Sequence, residues 1–170
     1  MEIEQARWTP NGGWTPAAPG RLAGRAHLVL IFGDRDVLEN GRVVEEARRL
    51  YSGAVLFGCS TAGEILGVEV RDGTAVLTAV AFAHTKVAGA RTDIVGVADS
   101  FAAGARLARA LKPQGLTHVL VLAEAPPAVN GSELVRGMME NLPPGVAVTG
   151  GIAGDGERFG RACVVWDGAA

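Results

Sequence analysis

Two apolar runs, separated by a segment with helical periodicity, constrain the fold of this chain more than any other feature. The first run is His27–Phe32 and the second is Ala54–Phe57. Such runs are typical of strands that are buried on both faces. Between them, apolar residues recur at helical spacing up to about Tyr51, and Ser52-Gly53 ends the pattern. Because a helix that connects two strands of one sheet places them parallel, we predict a βαβ unit.

The residues that follow have a different pattern, which predicts antiparallel strands. Asp72-Gly73 suits the positive φ angles of a tight two-residue turn. We therefore predict a hairpin that joins Val68–Arg71 to Thr74–Phe82. Residues Lys86–Val95 are expected to add another antiparallel strand.

The second half of the chain returns to helices that alternate with strands. Asp99 or Ser100 can cap a helix that ends at Pro113, and Asn130 and Glu133 have the spacing of a capping box. The later elements expected are a strand over Thr117–Ala123, a helix over Asn130–Leu142, and strands over Val146–Thr149 and Arg161–Trp166. The whole pattern predicts an α/β fold with α+β character in the middle. We expect a mixed β-sheet with βαβ units and an antiparallel hairpin, and helices packed on the sheet.

Residues 1–25 differ in composition from the rest of the chain. The segment is rich in Trp, Pro and Gly, which favours turns and extended backbone over helix. We therefore divide the chain into an N-terminal arm, residues 1–25, and a single domain, residues 26–170. Trp8 and Trp14 are expected to fasten the arm to the domain, because each can bury a large apolar ring. The alternative is a contact between subunits or a cover for a pocket.

Composition excludes several classes of function. The formal net charge of the 170 residues is −2, so no basic face is expected for nucleic acid or an anionic membrane. No segment has the apolar length of a membrane span, and the first 20 residues lack the apolar core of a signal peptide. Cys59 and Cys163 are too few for a disulfide framework, and no Cys or His cluster has zinc spacing. We therefore expect a cytoplasmic protein with free thiols and without a metal or cofactor.

Three unusual loops each follow an expected strand. They are Gly58–Glu64, residues 124–131 and Gly150–Gly156. In open α/β sheets the ligand crevice lies outside the carboxyl ends of the strands, so we expect the three loops to share one edge. The alternative is structural, because glycines at strand ends often only permit turns and close packing.

The first loop has the Gly-x4-Gly spacing of a phosphate loop, but Glu64 follows where phosphate binding requires Lys. Nucleotide hydrolysis is therefore not expected. Thr61 and Glu64 have capping-box spacing, which predicts a short helix whose first N–H groups could hold a carboxylate. The last loop lacks the Gly-x-Gly-x-x-Gly pattern of dinucleotide binding. Its Asp155 could accept hydrogen bonds from a ligand amine, or could cap a turn.

Cys59 and Ser60 are the candidate nucleophiles, because Gly58-Cys-Ser-Thr-Ala62 is close to a hydrolase elbow. A nucleophile needs a general base within hydrogen-bond reach. His27 and His118 adjoin the beginnings of their strands, at the opposite edge, so His84 is the only plausible base. A hydrolase or transferase that uses these residues stays an alternative.

Three motifs together resemble the N-terminal domain of the FIST family. They are Gly58-Cys-Ser-Thr-Ala-Gly-Glu64-Ile65, then Asn130-Gly131 followed by Glu133-Leu134, and Gly150-Gly151-x-Ala153-Gly154-Asp155. The resemblance extends over nearly the whole chain from about residue 26. It implies an intracellular signal-transduction domain that senses a small ligand, with amino acids as the proposed class, and it implies no established catalytic activity.

The motif positions are carried over as candidate ligand contacts. They are Gly58, Cys59, Ser60, Thr61, Gly63, Glu64, Asn130, Gly150, Gly151, Gly154 and Asp155. Many family members continue into a C-terminal FIST domain, so such a domain or a signalling protein is an expected partner in trans, and a homo-oligomer is a third possibility. A protein-interaction domain without a ligand stays an alternative to the sensor.

Overall fold

A computed structural model describes residues 1–125 and 127–167 of the chain. It contains two compact units, of which the first comprises Met1–Val87 with Gly154–Ala170 and the second comprises Ala88–Ala153. The predicted mixed α/β class is confirmed. The prediction of one domain over residues 26–170 stays a prediction. None of the helices in the described part of the chain is long and apolar enough to cross a membrane.

The first unit is built on a six-stranded mixed sheet and a separate two-stranded hairpin. Its strands are β1 (Glu2–Thr9), β2 (Gly13–Thr15), β3 (Leu28–Gly33), β4 (Val55–Ser60), β5 (Glu64–Leu66), β6 (Glu69–Arg71), β7 (Ala75–Ala81) and, after the second unit, β10 (Val164–Trp166). The order in the large sheet is β10-β4-β3-β7-β1-β2, and β5 pairs with β6. Strands β3 and β4 are parallel, which confirms the predicted βαβ unit, and the other pairs are antiparallel.

Two helices connect β3 to β4, where one was expected. They are α1 (Arg35–Glu39) and α2 (Arg42–Leu50). The break lies at Gly41, whose φ of 80° is in the left-handed region that glycine adopts without strain. The buried face of α2, with Val43, Val44 and Ala47, belongs to the same apolar core as the strand residues Val29 and Ile31. The helical periodicity was therefore predicted correctly, but its interruption was missed.

Within the segment expected to form an arm, residues 2–9 are instead a strand of the main sheet. Strand β1 pairs with β7 over seven residues, from Glu2 opposite Ala81 to Trp8 opposite Ala75. The ring of Trp8 is only 3% exposed and lies in the core, so it fastens this segment as expected. The buried carboxylate of Glu4 accepts the N–H groups of residues 20, 21 and 22, which secures the Pro- and Gly-rich turn.

Three other predictions between residues 61 and 95 are wrong. The hairpin turn lies at Gly67-Val68, because β6 pairs with β5 and not with β7. Strand β7 is almost entirely buried, so both of its faces are covered, and its two edges pair with β1 and β3. Glu64 begins strand β5 rather than a short helix, and residues 86–95 form no strand.

The second unit contains a second βαβ arrangement. Its elements are α3 (Ser100–Ala110), β8 (His118–Ala123), α4 (Gly131–Met139) and β9 (Ala147–Ile152). Strands β8 and β9 are parallel. A Cβ atom on Gly104 would overlap the carbonyl oxygen of Leu134, and one on Gly137 would overlap that of Phe101. These two glycines therefore allow α3 and α4 to cross at backbone contact.

Candidate functional site

The glycine at the start of the first loop serves strand packing. Gly58 lies in β4 beside β3, and a Cβ atom on it would overlap the carbonyl oxygen of Ile31. Gly63 has a φ of 151° and faces Val70 of the neighbouring hairpin. A Cβ atom on Gly154 would lie 3.1–3.4 Å from backbone atoms of Thr61 and Ala62, which is a tight contact. At these three positions, close packing or backbone conformation accounts for the glycine without a ligand.

Ser60 joins two distant segments of the first unit. Its hydroxyl donates to the carbonyl oxygen of Gly154 at 2.7 Å and accepts the N–H of Cys163 at 2.9 Å. The residue is fully buried. Backbone hydrogen bonds from Gly154 to Ser60 and from Ser60 to Cys163 strengthen the same connection. The hydroxyl is occupied by its own chain and does not face solvent.

The second candidate nucleophile is also enclosed. Burial, together with the neighbouring Cys163, raises the pKa of the Cys59 thiol to about 12, so it is protonated at neutral pH. His84, the expected base, is exposed to solvent. A nucleophile of this kind needs a depressed pKa or a base in reach. The pKa of Cys59 is raised, and among the described residues no hydrogen bond joins its thiol to a base.

Glu64 is a buried carboxyl group held by two threonines. It is 2% exposed. One of its oxygens accepts from the hydroxyl of Thr61 at 2.8 Å, and the other accepts from the hydroxyl and the N–H of Thr74 at 2.9 and 3.2 Å. Burial raises the pKa of this carboxyl, and the threonine hydrogen bonds oppose the increase. The carboxyl therefore fixes the β5–β6 hairpin to the start of β7.

Asp155 organises the loop that precedes β10. Its side chain accepts the N–H groups of Gly160 and Arg161 at 3.1 and 3.0 Å and forms ion pairs with Arg35 and Arg158, both at 2.9 Å. The Arg161 N–H, followed by the Gly160 N–H and the two arginine charges, holds the pKa of Asp155 below its usual value. Of the two roles predicted for Asp155, the structure has the turn cap.

The ionic partners of this loop were missed by sequence reasoning. Arg158 also pairs with Asp34 and Asp36, and Arg161 pairs with Glu39. The only sequence signal was the charged run Asp34-Arg35-Asp36 directly after β3. Since Arg35 and Asp155 are 120 positions apart, local spacing could not connect them.

The second unit contains a groove with a volume of about 460 Å³. Strands β8 and β9 line one side and the first turns of α4 line the other. The lining residues are Val121, Ala123, Gly131, Leu134, Val135, Val148, Thr149, Gly150, Gly151 and Ile152. None of these described residues is charged. The walls are mostly apolar, and the two adjacent glycines expose backbone.

Two of the predicted ligand contacts, Gly150 and Gly151, line this groove. They lie inside β9, so the expected loop begins three residues later than predicted. A Cβ atom on Gly150 would overlap the carbonyl oxygen of Val121. Asn130 caps α4 by accepting the N–H of Glu133 at 3.2 Å, next to the lining residue Gly131.

The predicted residues thus fall into two groups. Eight lie in the first unit, and Asn130, Gly150 and Gly151 lie in the second. The apolar lining positions of α4 and β9 were not predicted as contacts, because apolar residues at helical or strand spacing are normally core. In the described residues no cluster of three or more His, Cys, Asp or Glu side chains could hold a metal ion.

Comparison with known proteins identifies a family. The model of the FIST N domain matches residues 27–170, which is nearly the whole chain after β2 and the turn that follows it. Neither the curated proteins nor the solved structures contain a significant match.

Proposed function

Because the chain belongs to the FIST family, whose domains are associated with signal transduction, we propose that it is an intracellular sensory domain that binds a small ligand. The ligand is an amino acid or a similar small metabolite, and it binds in the groove between β9 and α4. The domain transmits its occupancy to a partner and performs no chemistry on the ligand. The groove is the observation that carries this proposal.

The size and lining of the groove support a small organic ligand. Small-molecule sites usually have volumes of about 300–1,000 Å³ and are mainly apolar with a few polar groups. The groove has a volume of about 460 Å³. Its apolar walls favour a ligand with an apolar part, such as an amino acid with an aliphatic side chain, because burying a lone charge there would be costly. The backbone N–H and C=O groups of Gly150, which lines the groove and does not use them on β8, supply polar groups that can orient it.

The residues of the first unit support the proposal indirectly. Ser60, Glu64 and Asp155 all have hydrogen-bond partners in their own chain. A ligand would have to displace those partners, and each displaced buried group would lose about 1–3 kcal/mol unless the ligand replaced the bond. We therefore assign these residues to the framework and place the ligand in the second unit.

A thermal-shift screen tests the proposal. The purified chain is heated with millimolar amino acids of aliphatic, aromatic and charged side chains, and with small organic acids and amines. A ligand at about 100 times its Kd stabilises by about 2.7 kcal/mol. For a domain of this size each kcal/mol raises the Tm by roughly 2–4 °C. We expect aliphatic amino acids to give the largest increase.

A pair of variants on α4 tests whether the ligand binds in the groove. Val135→Phe fills the groove with a larger side chain and is expected to abolish the increase in Tm. Met139→Phe adds a ring on the same helix at a position that is exposed and does not line the groove. It should leave the response unchanged. A ligand response that survives Val135→Phe, or the absence of any response in the parent chain, would reject the groove as a sensory site.

A further inference from the structure

Strand β9 has one free edge. Among the described residues it pairs with β8 only, and five of its six residues are exposed. Its sequence, Ala-Val-Thr-Gly-Gly-Ile, contains no charged residue and no proline. Natural edge strands are usually protected from pairing with another chain by charges, prolines or bulges. β9 lacks the first two protections over its whole length.

The direction of the free backbone groups follows from the hydrogen bonds at the two ends of β9. Ala147 donates to the carbonyl of Thr117, and Ala153 donates to that of Ala123. In a parallel strand the residues alternate, so that every second residue has its N–H and C=O groups on the same edge. The odd-numbered residues therefore bond to β8. Val148, Gly150 and Ile152 direct their N–H and C=O groups to the free edge.

The side chains of these same three residues lie on the groove side of the sheet. Gly150 is the register partner of Val121, and both line the groove. Residues two positions apart share a face, so Val148 and Ile152 lie on this face as well. Ile152 is 44% exposed. The free edge thus combines unused backbone groups with apolar side chains and no charge.

We propose that β9 pairs in antiparallel orientation with β9 of a second copy of this chain, about a two-fold axis that lies midway between the two copies of Gly150. In this register Gly150 is opposite Gly150 of the second copy, and Val148 is opposite Ile152 of the second copy. All three outward-facing residues then exchange hydrogen bonds, because hydrogen-bonded pairs recur at every second residue. A register centred between two residues would instead pair outward-facing groups with residues that bond to β8.

The chemistry of the edge selects a second copy as the occupant. An isologous contact requires a self-complementary surface. Here the aliphatic side chains of Val148 and Ile152 meet each other across the axis, and no charge is desolvated on either side. Gly150 has no side chain, so the two strands can approach closely at the axis. Ile152 of the second copy lies beside Val148 at the groove, so each copy contributes a residue to the groove of the other.

Chemical cross-linking tests the register. At the spacing of paired strands, residue 151 in the two copies is separated by about 8 Å. A Cβ atom on Gly151 meets no other atom within 4 Å, so Gly151→Cys is compatible with the fold. A short bismaleimide is expected to convert this variant to a covalent dimer. Leu120→Cys, at a 38% exposed position on β8, is the control and should remain monomeric on a denaturing gel.

Sedimentation equilibrium tests the association itself, without any ligand, so that its result is independent of the proposed sensory role. We expect a concentration-dependent dimer of the full chain. Ile152→Lys places a charge opposite an apolar residue and should weaken dimerisation by about tenfold or more, whereas Leu120→Lys should not. Circular dichroism confirms that both variants are folded. The proposal is overturned by a chain that stays monomeric at hundreds of micromolar. It is equally overturned by a dimer that neither cross-links in the Gly151→Cys variant nor responds to Ile152→Lys.

Discussion

The hydroxyl of Ser60 donates a hydrogen bond to the carbonyl oxygen of Gly154, 94 positions later in the chain. It also accepts the N–H of Cys163. One buried side chain therefore connects the end of β4 with both ends of the loop that Asp155 organises. Within the first unit, Ser60 and its partners Gly154 and Cys163 therefore form a structural junction.

Ser60→Ala is expected to destabilise the chain by about 1–3 kcal/mol, because it leaves a buried carbonyl and a buried N–H without their partner. Urea unfolding monitored by circular dichroism measures the change. Ser52→Ala, at an exposed position just after α2, is the control and should change stability by less than about 0.5 kcal/mol. Equal stabilities of the two variants would show that Ser60 has no such role.

Asp155→Asn is expected to lower the free energy of unfolding at neutral pH and to change its pH dependence. The folded pKa of Asp155 is lowered, so its contribution is present above the unfolded pKa, which is about 4, and is lost as the pH falls through the folded value. The difference in the free energy of unfolding between Asp155→Asn and the parent chain should therefore become smaller at acidic pH. Unfolding by urea between pH 7 and pH 3 measures it, with Glu157→Gln, at an exposed position in the same loop, as control.

Glu64→Gln should have the opposite pH dependence. The folded pKa of Glu64 is raised, so the parent chain is favoured below the unfolded pKa, about 4.3, and loses that stability as the pH rises through the folded value. Glutamine stays neutral: its amide oxygen can accept from Thr74, and its amide NH2 can donate to the hydroxyl oxygen of Thr61 in place of the bond that the carboxyl accepts there. We therefore expect the stability of the variant relative to the parent to increase from pH 4 to pH 7. A relative stability that falls over this range would contradict the assignment.

Gly104→Ala is expected to destabilise the crossing of α3 and α4. The added methyl group would overlap the carbonyl oxygen of Leu134, and the helices must separate to accommodate it. Overpacking of this kind costs about 1–3 kcal/mol. Gly151→Ala is a matched control in the same unit, because its Cβ atom meets no atom within 4 Å. Differential scanning calorimetry of the two variants distinguishes a crowded crossing from a general intolerance to alanine.

The parts of the fold that were predicted correctly are those encoded in local periodicity. The runs that became β3, β4 and β8 were visible, and Asn130 caps α4 through Glu133 as its spacing predicted. The β5–β6 hairpin was misplaced because Asp72-Gly73 suits a tight turn on local grounds. Both faces of strand β7 are apolar and must be buried. It therefore lies inside the large sheet, where it pairs with β1 and β3, which are distant from it in sequence.

The candidate site was predicted in part for the same reason. A sequence shows where the glycines are, but not why each position requires glycine. Gly58 and Gly150 both avoid a clash with a neighbouring strand, and of these two only Gly150 also lines the groove. One ionic partner of Asp155, Arg35, is 120 positions away in the sequence. The opposing wall of the groove, with Leu134 and Val135, has the pattern of an ordinary core helix.

The sequence order of the two units has a consequence for synthesis on the ribosome. The second unit is one continuous segment, Ala88–Ala153, whereas the first is completed only by Gly154–Ala170. A nascent chain that has emerged as far as residue 87 therefore contains β4 without β10, and its Ser60 lacks both partners. Since domains generally fold once their residues have left the ribosome, we expect the later-made segment 88–153 to reach its final packing before the unit that begins at the N-terminus.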